Sequence, residues 1–423
     1  MSLNNNDLSP LSMRPTHSTF PRAARSVVER AGRAMPVVVL RGPRQSGKST
    51  LAAELAGEQG REIVTFDDPE SAIQFQANQD RFVRRDAPMV FDEVQREPQV
   101  MLALKRAVDA MGTRRKPGHY LVTGSADLLL MRQVEDSLTG RAAYVNLWPM
   151  TCAELRGEGR AGRWDILWEH PVAEWARLLD GDEHQTDWRH AVRRGGFPTP
   201  ALASDPAVKE AWPQAYIETF LNRDLRDLAD LGATVDFHRV MKAAAARVGS
   251  LVNQSQIGVD VQLPQPRVRS YLNLMEISFQ IVRLEAYLWG QRHRLIKSPK
   301  LYWNDPALGM FMGGRHEPAG ADFENLVMID LLTWKQSQLN RPDLAYWRTT
   351  TGHEVDFVVS TPQRVLPIEV KTSRDVGYSD IKGMHAFLDA YDSQCPGGVV
   401  LYDGTTVKSL TPRILAVPWW KVL

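Results

Sequence analysis

The chain has 423 residues, 43% of them hydrophobic and 24% charged, with a formal net charge of +1. That length exceeds one ordinary core and predicts two to three domains, and the near-neutral balance confines any nucleic-acid surface to local patches. The two cysteines, Cys152 and Cys395, have no metal or redox spacing and suit a reducing cytoplasm, and no apolar run approaches the ~18 residues that cross a bilayer, so no membrane contact is expected.

Residues 1–18 open on the polar run Met-Ser-Leu-Asn-Asn-Asn-Asp, without a secretory apolar core, and read as a flexible arm. Residues 19–34 follow as a basic amphipathic helix. Five short apolar strands then alternate with helical segments, near residues 37–41, 62–66, 88–92, 119–123 and 143–147. This alternation predicts a parallel α/β sheet with helices on both faces, spanning 19–150.

The first strand runs into Gly42-Pro43-Arg44-Gln45-Ser46-Gly47-Lys48-Ser49-Thr50, followed by a strong helix former. This fits G-x-x-x-x-G-K-[S/T] in a strand–loop–helix setting, which predicts a P-loop phosphate site. Gly42 and Gly47 allow backbone conformations that a Cβ forbids and bring N–H groups to phosphate oxygens. Lys48 supplies a charge for the β/γ-phosphates, Ser49 a hydroxyl for Mg²⁺, and the helix N-terminus favours the anion.

A second buried strand, Met89-Val-Phe, ends in Asp92-Glu93. In this architecture Asp92 holds Mg²⁺ through water and Glu93 polarises the attacking water. A third strand leads into Gly124-Ser125, beside the γ-phosphate, where Ser125 can sense hydrolysis. ATP and Mg²⁺ are therefore the expected cofactors. The acid pair and the further strand suggest the additional-strand branch of P-loop ATPases.

Residues 151–235 are helical and rich in Trp, Arg and Asp, and read as a helical lid; they include Arg194-Gly-Gly-Phe-Pro198. Residues 236–300 have a helix-turn-helix rhythm, with Gln280-Ile-Val-Arg-Leu-Glu285 as the wing of a winged helix. Seven Lys/Arg (267, 269, 283, 292, 294, 297, 300) against two acids (276, 285) give 264–300 a local charge of +5 (seven minus two). A basic module of this kind reads as a DNA contact, or as an interdomain or dimer module.

Residues 301–423 read as an α/β nuclease-like domain. Asp356 is followed after twelve residues by Glu369-x-Lys371. Residues i and i+2 of a strand face one way, so Glu369 and Lys371 project together, and a neighbouring strand can bring Asp356 beside them. Two carboxylates can bind Mg²⁺ while the lysine orients water, and Glu324 on an upstream helix adds a third carboxylate.

With these pieces assembled, the chain resembles the prokaryotic ATPases of the AAA superfamily that carry a C-terminal restriction-endonuclease-like domain. The resemblance rests on the phosphate loop, Phe-Asp-Glu-Val-Gln, Leu-Val-Thr-Gly-Ser, Ser137-Leu-Thr-Gly-Arg141, Arg-Gly-Gly-Phe-Pro, Asn-Arg223-Asp-Leu, Tyr302-Trp-Asn-Asp305-Pro, Phe-Glu324-Asn and Glu-Val-Asp-Phe…Ile-Glu-Val-Lys. It covers nearly the whole chain after residue 18, least well across 157–190. It implies ATP binding and hydrolysis together with DNA transactions. It also implies an arginine finger, for which Arg141 and Arg223 are the candidates; a finger supplied in trans requires a homo-oligomer. The alternative is a non-cleaving ATP-gated binding or signalling protein whose C-terminal domains mediate protein association.

Overall fold

The computed structural model describes residues 20–112, 116–125, 138–181, 185–221, 233–288 and 297–423. Its N-terminal sheet consists of β1 (Val37–Gly42), β2 (Glu62–Thr65), β3 (Met89–Asp92), β4 (Tyr120–Ser125) and β5 (Ala142–Asn146). The order is β2-β3-β4-β1-β5, and every pair is parallel. The five strands fall within about two residues of the predicted ones, and β4 is the further strand, inserted between β1 and β3. Side chains of β1 alternate between two cores: Val38 and Leu40 pack with Leu51 and Leu55, while Val37 and Val39 pack with Phe91 and Leu104. Burial on both faces explains why the strands read as continuous apolar runs.

The segment expected to form a lid packs into a core shared with the C-terminal half. Helices Cys152–Leu155, Trp164–Glu169, Val172–Leu178 and Trp188–Arg194 share a core with the C-terminal half, burying Trp164, Trp175 and Trp188 with Phe323, Trp419 and Val422. The Trp188 and Phe323 rings stack with centroids 5.2 Å apart. The Arg163 N–H donates to the Val422 carbonyl at 2.6 Å. Among the described residues of this segment, helices Pro198–Leu202 and Pro206–Thr219 reach the phosphate loop through Pro198 and Trp212.

Helices Ala233–Ala245, Gln254–Val261 and Gln265–Ile277 pack on one another and lead into an antiparallel pair, β6 (Ile281–Leu284) and β7 (Lys300–Trp303). The local positive charge is less available than its count predicts. Lys300 is 2% exposed, Arg283 pairs with Glu276, and Arg267 donates to the Tyr271 hydroxyl at 2.9 Å. Residues 292 and 294 lie outside the described residues.

The last sheet holds β8 (Asp343–Arg348), β9 (Glu354–Ser360), β10 (Val365–Lys371), β11 (Gly398–Tyr402), β12 (Lys408–Thr411) and β13 (Ile414–Pro418), in the order β12-β13-β11-β10-β9-β8. Strands β8, β9 and β10 pair antiparallel, whereas β10, β11 and β13 run parallel. Helix Gly320–Ser337 covers one face. Helix Lys382–Ala390, the crossover from β10 to β11, covers the other through Met384 and Phe387. Among the described residues no helix is long and apolar enough to cross a membrane.

Candidate functional site

The phosphate loop sits at the C-terminal end of β1 and passes directly into helix Lys48–Gln59. Its backbone takes the left-handed region at Gln45 (φ +57°) and Gly47 (φ +95°). At Gly42 (φ +156°) a Cβ would run into the Leu147 carbonyl, so glycine is required there by space. Neighbouring elements hold the loop's shape. Arg22 is 8% exposed and donates to the Ser46 and Trp148 carbonyls, both at 2.7 Å, while its Nε pairs with Glu154 at 3.1 Å. Trp212 Nε1 donates to Gln45 Oε1 at 2.6 Å, and Pro198 packs beside Gly47. Pro43 and Ser46 are buried, Arg44 is half-buried, and Thr50 is exposed on the first helical turn.

The reactive side chains converge. Lys48 Nζ donates to the Gly42 and Pro43 carbonyls at 3.1 and 2.8 Å, curled back over its own loop. Ser49 Oγ donates to Asp92 Oδ1 at 3.0 Å across 43 residues of sequence. Thr123 Oγ1 donates to the same carboxylate oxygen and accepts from the Glu93 N–H at 3.4 Å. Glu93 is in the left-handed region (φ +55°), and its carboxylate accepts from Gln95 Nε2. Ser125 is in register with Gly42, so its backbone lies alongside the start of the loop.

Of the two finger candidates, Arg223 lies outside the described residues. Arg141 precedes β5, at the far end of the sheet. Ala142 is paired with Val37, and Gly42 lies five residues further along, about 16 Å at strand rise. Arg141 is engaged by Asp109 at 2.6 and 3.1 Å. Arg141 is therefore too far away to act on its own chain's loop.

Residues 34–156 match the model of an AAA domain. They form a P-loop NTPase core. Residues 185–319 and 319–422 match two domains of unknown function, DUF8612 and DUF4143. The chain is similar to the uncharacterized proteins Mb2031c of Mycobacterium bovis and Rv2008c of Mycobacterium tuberculosis. It is 28% identical to each, over 95% of this chain and 84% of theirs. Among solved structures it is similar to the Walker-type ATPase PABY2304 of Pyrococcus abyssi (TM-score 0.42, 16% identity, 70% of this chain and 96% of that one). It is also similar to a point variant of Thermotoga maritima RuvB (TM-score 0.29, 15% identity, 62% and 88%).

The C-terminal acids meet as the strand argument predicts. Antiparallel pairing of β9 with β10 brings Asp356 beside Glu369, and Asp356 Oδ2 accepts from the Val370 N–H at 3.0 Å. Lys371 Nζ lies 2.7 Å from Glu369 Oε1, and Tyr302 donates to Glu324 Oε2 at 3.1 Å. The unexpected member is Lys300, from β7. Its ammonium is 2.5 Å from Glu354, 3.3 Å from Asp356 and 3.7 Å from Glu324. Among the described residues, with the side chains as they stand and Lys300 in place, no group of three or more His, Cys, Asp or Glu side chains is arranged to hold a metal ion. Within the expected Glu324–Asp356–Glu369 set, a lysine ammonium lies beside Glu324 and Asp356, against oxygens that a cation would take.

The electrostatics agree with this crowding. Burial, and after it the Asp356 charge, pushes Glu324 up to about 8. The same two causes raise Glu369 well above the usual carboxylate range, against the pull of Lys371. Burial works against the charge on Lys300, but Tyr302, Asp356, Glu324 and Glu354 together outweigh it and hold its pKa above that of an ordinary lysine.

The sequence offers weak signals for the residues it does not single out. Thr123 is a polar residue in an otherwise apolar strand. Lys300 is one of seven basic residues counted toward a surface. Arg22 is one of several arginines on a basic helix.

Proposed function

We propose that the chain binds and hydrolyses ATP with Mg²⁺ at residues 42–50 and couples the cycle to an event in its C-terminal half. The observation that carries this reading is the 3.0 Å contact of Ser49 with Asp92, set between Lys48 and Glu93. The residues fit the cofactors: the glycine backbone is open toward an anion, and a hydroxyl and a carboxylate already share one locus for a hard cation. Bound Mg²⁺ would neutralise charge on the β- and γ-phosphates. Lys48 exchanges its loop carbonyls for phosphate oxygens. Ser49 and Asp92 would hold the metal, Asp92 through water, and Thr123 fixes Asp92. Glu93 orients the attacking water and takes its proton, with Ser125 beside the γ-phosphate.

The test is phosphate release by the full chain. Glu93→Gln is expected to keep nucleotide binding and lose at least 100-fold in turnover, and Lys48→Ala to lose binding as well. Unchanged turnover in both variants would refute the site.

For the C-terminal half, the Glu369-x-Lys371 strand beside Asp356 supports a nuclease-like fold, and the three helices with β6 and β7 support a winged-helix module contacting DNA. The Lys300 ammonium among the acids favours the second reading, a module that binds a partner without cleaving it. Cleavage of DNA in Mn²⁺, kept in Lys48→Ala and lost in Asp356→Ala, would restore the nuclease. DNA affinity that falls with salt and on charge reversal at Arg267 and Arg269 would support the DNA contact. Arg141 acting as a finger in trans requires self-association, measurable by sedimentation with and without ATP.

A further inference from the structure

The C-terminal cluster has the composition of a metal site but is already filled by a side chain. Lys300 is 2% exposed, and its ammonium, with three hydrogens to donate, lies among Glu354, Asp356 and Glu324 at 2.5, 3.3 and 3.7 Å. A strand outside the acids' own sheet supplies it: β7 pairs with β6, Lys300 opposite Leu284 and Tyr302 opposite Val282. Residues i and i+2 of a strand share a face, so Lys300 and Tyr302 enter the cluster together, and Tyr302 takes up Glu324.

A second observation is independent of the lysine. Glu369 is 7% exposed, and its Oε2 is buried with no hydrogen-bond partner among the described residues, although Oε1 is taken by Lys371. A buried carboxylate oxygen without a partner costs free energy, which a proton or a cation relieves. The ammonium therefore pairs with three of the acids, and Glu369 is not among them.

We propose that Lys300 is the resident cation of this cluster, filling the place that a nuclease-like arrangement gives to a divalent metal ion. Removing its ammonium opens a divalent-cation site made by Glu324, Asp356 and Glu369. The wild-type cluster is then a closed ion-pair centre that joins β7 to the C-terminal sheet, and the domain is metal-free in its ground state. This inference does not depend on nucleotide hydrolysis at residues 42–50.

The test is Mn²⁺ binding to the full chain without nucleotide, followed by the electron paramagnetic resonance of free Mn²⁺. All proteins carry Asp92→Asn to silence the phosphate-loop metal locus. The chain with Lys300 intact is expected to bind no Mn²⁺ that depends on Glu369. Lys300→Met is expected to gain one site, at least ten-fold tighter than any site of the parent, and Lys300→Met/Glu369→Gln to lose it. Equal, Glu369-dependent binding with and without Lys300 would overturn the proposal, as would a folded Lys300→Met chain that gains no site. Should Lys300→Met fail to fold, amine acetylation of the Asp92→Asn chain decides. Lys300 is expected to stay unlabelled in millimolar Mn²⁺, whereas labelling that rises with Mn²⁺ would mean that metal displaces it. Phosphate release by the native chain is read separately, so failure of the ATPase reading and failure of this one are distinct results.

Discussion

Asp92 owes its position to a neighbour without charge. Thr123 reaches it from β4, donating to the same oxygen that Ser49 uses, and also accepts from the Glu93 backbone. Replacing Thr123 with valine keeps the shape and removes both bonds. By the usual cost of losing an outer-shell partner, turnover should fall by about 10- to 100-fold. Affinity for a non-hydrolysable ATP analogue should change little, since no phosphate contact is lost, and Thr123→Ser should recover most of the rate. Equal turnover in Thr123→Val and the parent would remove Thr123 from the site. Lys48, Ser49, Asp92 and Glu93 were legible because a phosphate loop and the acid pair are compact local patterns that the chemistry forces on adjacent residues. Thr123 was not, since its bond crosses 31 residues between neighbouring strands. Lys300 was not, since it meets Asp356 across 56 residues, and no periodicity announces a partner so far along the chain.

Elements were legible where they bury apolar runs and illegible where their partners come later. The five N-terminal strands and the two that carry Asp356 and Glu369 announce themselves in this way. The Trp-rich helices between 152 and 194 read as a lid because of where they stand in the sequence, yet their partners lie in helix Gly320–Ser337 and at 419–423. Asp330 makes that docking polar. It accepts from the Gly162 N–H at 2.7 Å and from Trp164 Nε1 at 2.6 Å, and burial pushes its pKa up from 3.8 to about 6. The folded state thus binds this proton more tightly than the unfolded chain does. The stabilisation is fully present below about pH 4, falls as pH rises toward 6, and is absent above it, a span of order 3 kcal/mol. Asp330→Asn cannot ionise and keeps an acceptor for Gly162 and Trp164. Urea midpoints should therefore favour the variant at pH 8 relative to the parent, and the gap should close by pH 4. A gap independent of pH would mean that Asp330 is ionised throughout.

At the scale of the whole molecule, two short stretches of chain span the distance between the nucleotide loop and the carboxylate cluster. Lys300 lies within the cluster. Five residues on, Asp305 caps helix Pro306–Met312 through the Leu308 N–H at 2.9 Å and accepts from the Gly196 N–H at 2.6 Å. Two residues past Gly196, Pro198 packs beside Gly47. Two of the motifs that carry the family resemblance, around 194–198 and 302–306, therefore meet at one carboxylate. Pairing them was not legible, because neither motif contains a sign of the other. A phosphate that reshapes the loop at Gly47 has a route to β7 through these neighbouring residues; demonstrating coupling requires that both ends respond. Mg²⁺ and a non-hydrolysable ATP analogue should slow amide exchange in peptides covering 195–198 and, more weakly, 300–305. Asp305→Ala removes the shared acceptor, at about 1–3 kcal/mol for the lost cap and the stranded N–H. It should bind the analogue normally and keep the response at 195–198 while losing the one at 300–303. If the distant response persists in Asp305→Ala, the two centres communicate by another path; if the parent responds only at 195–198, they do not communicate through β7 at all.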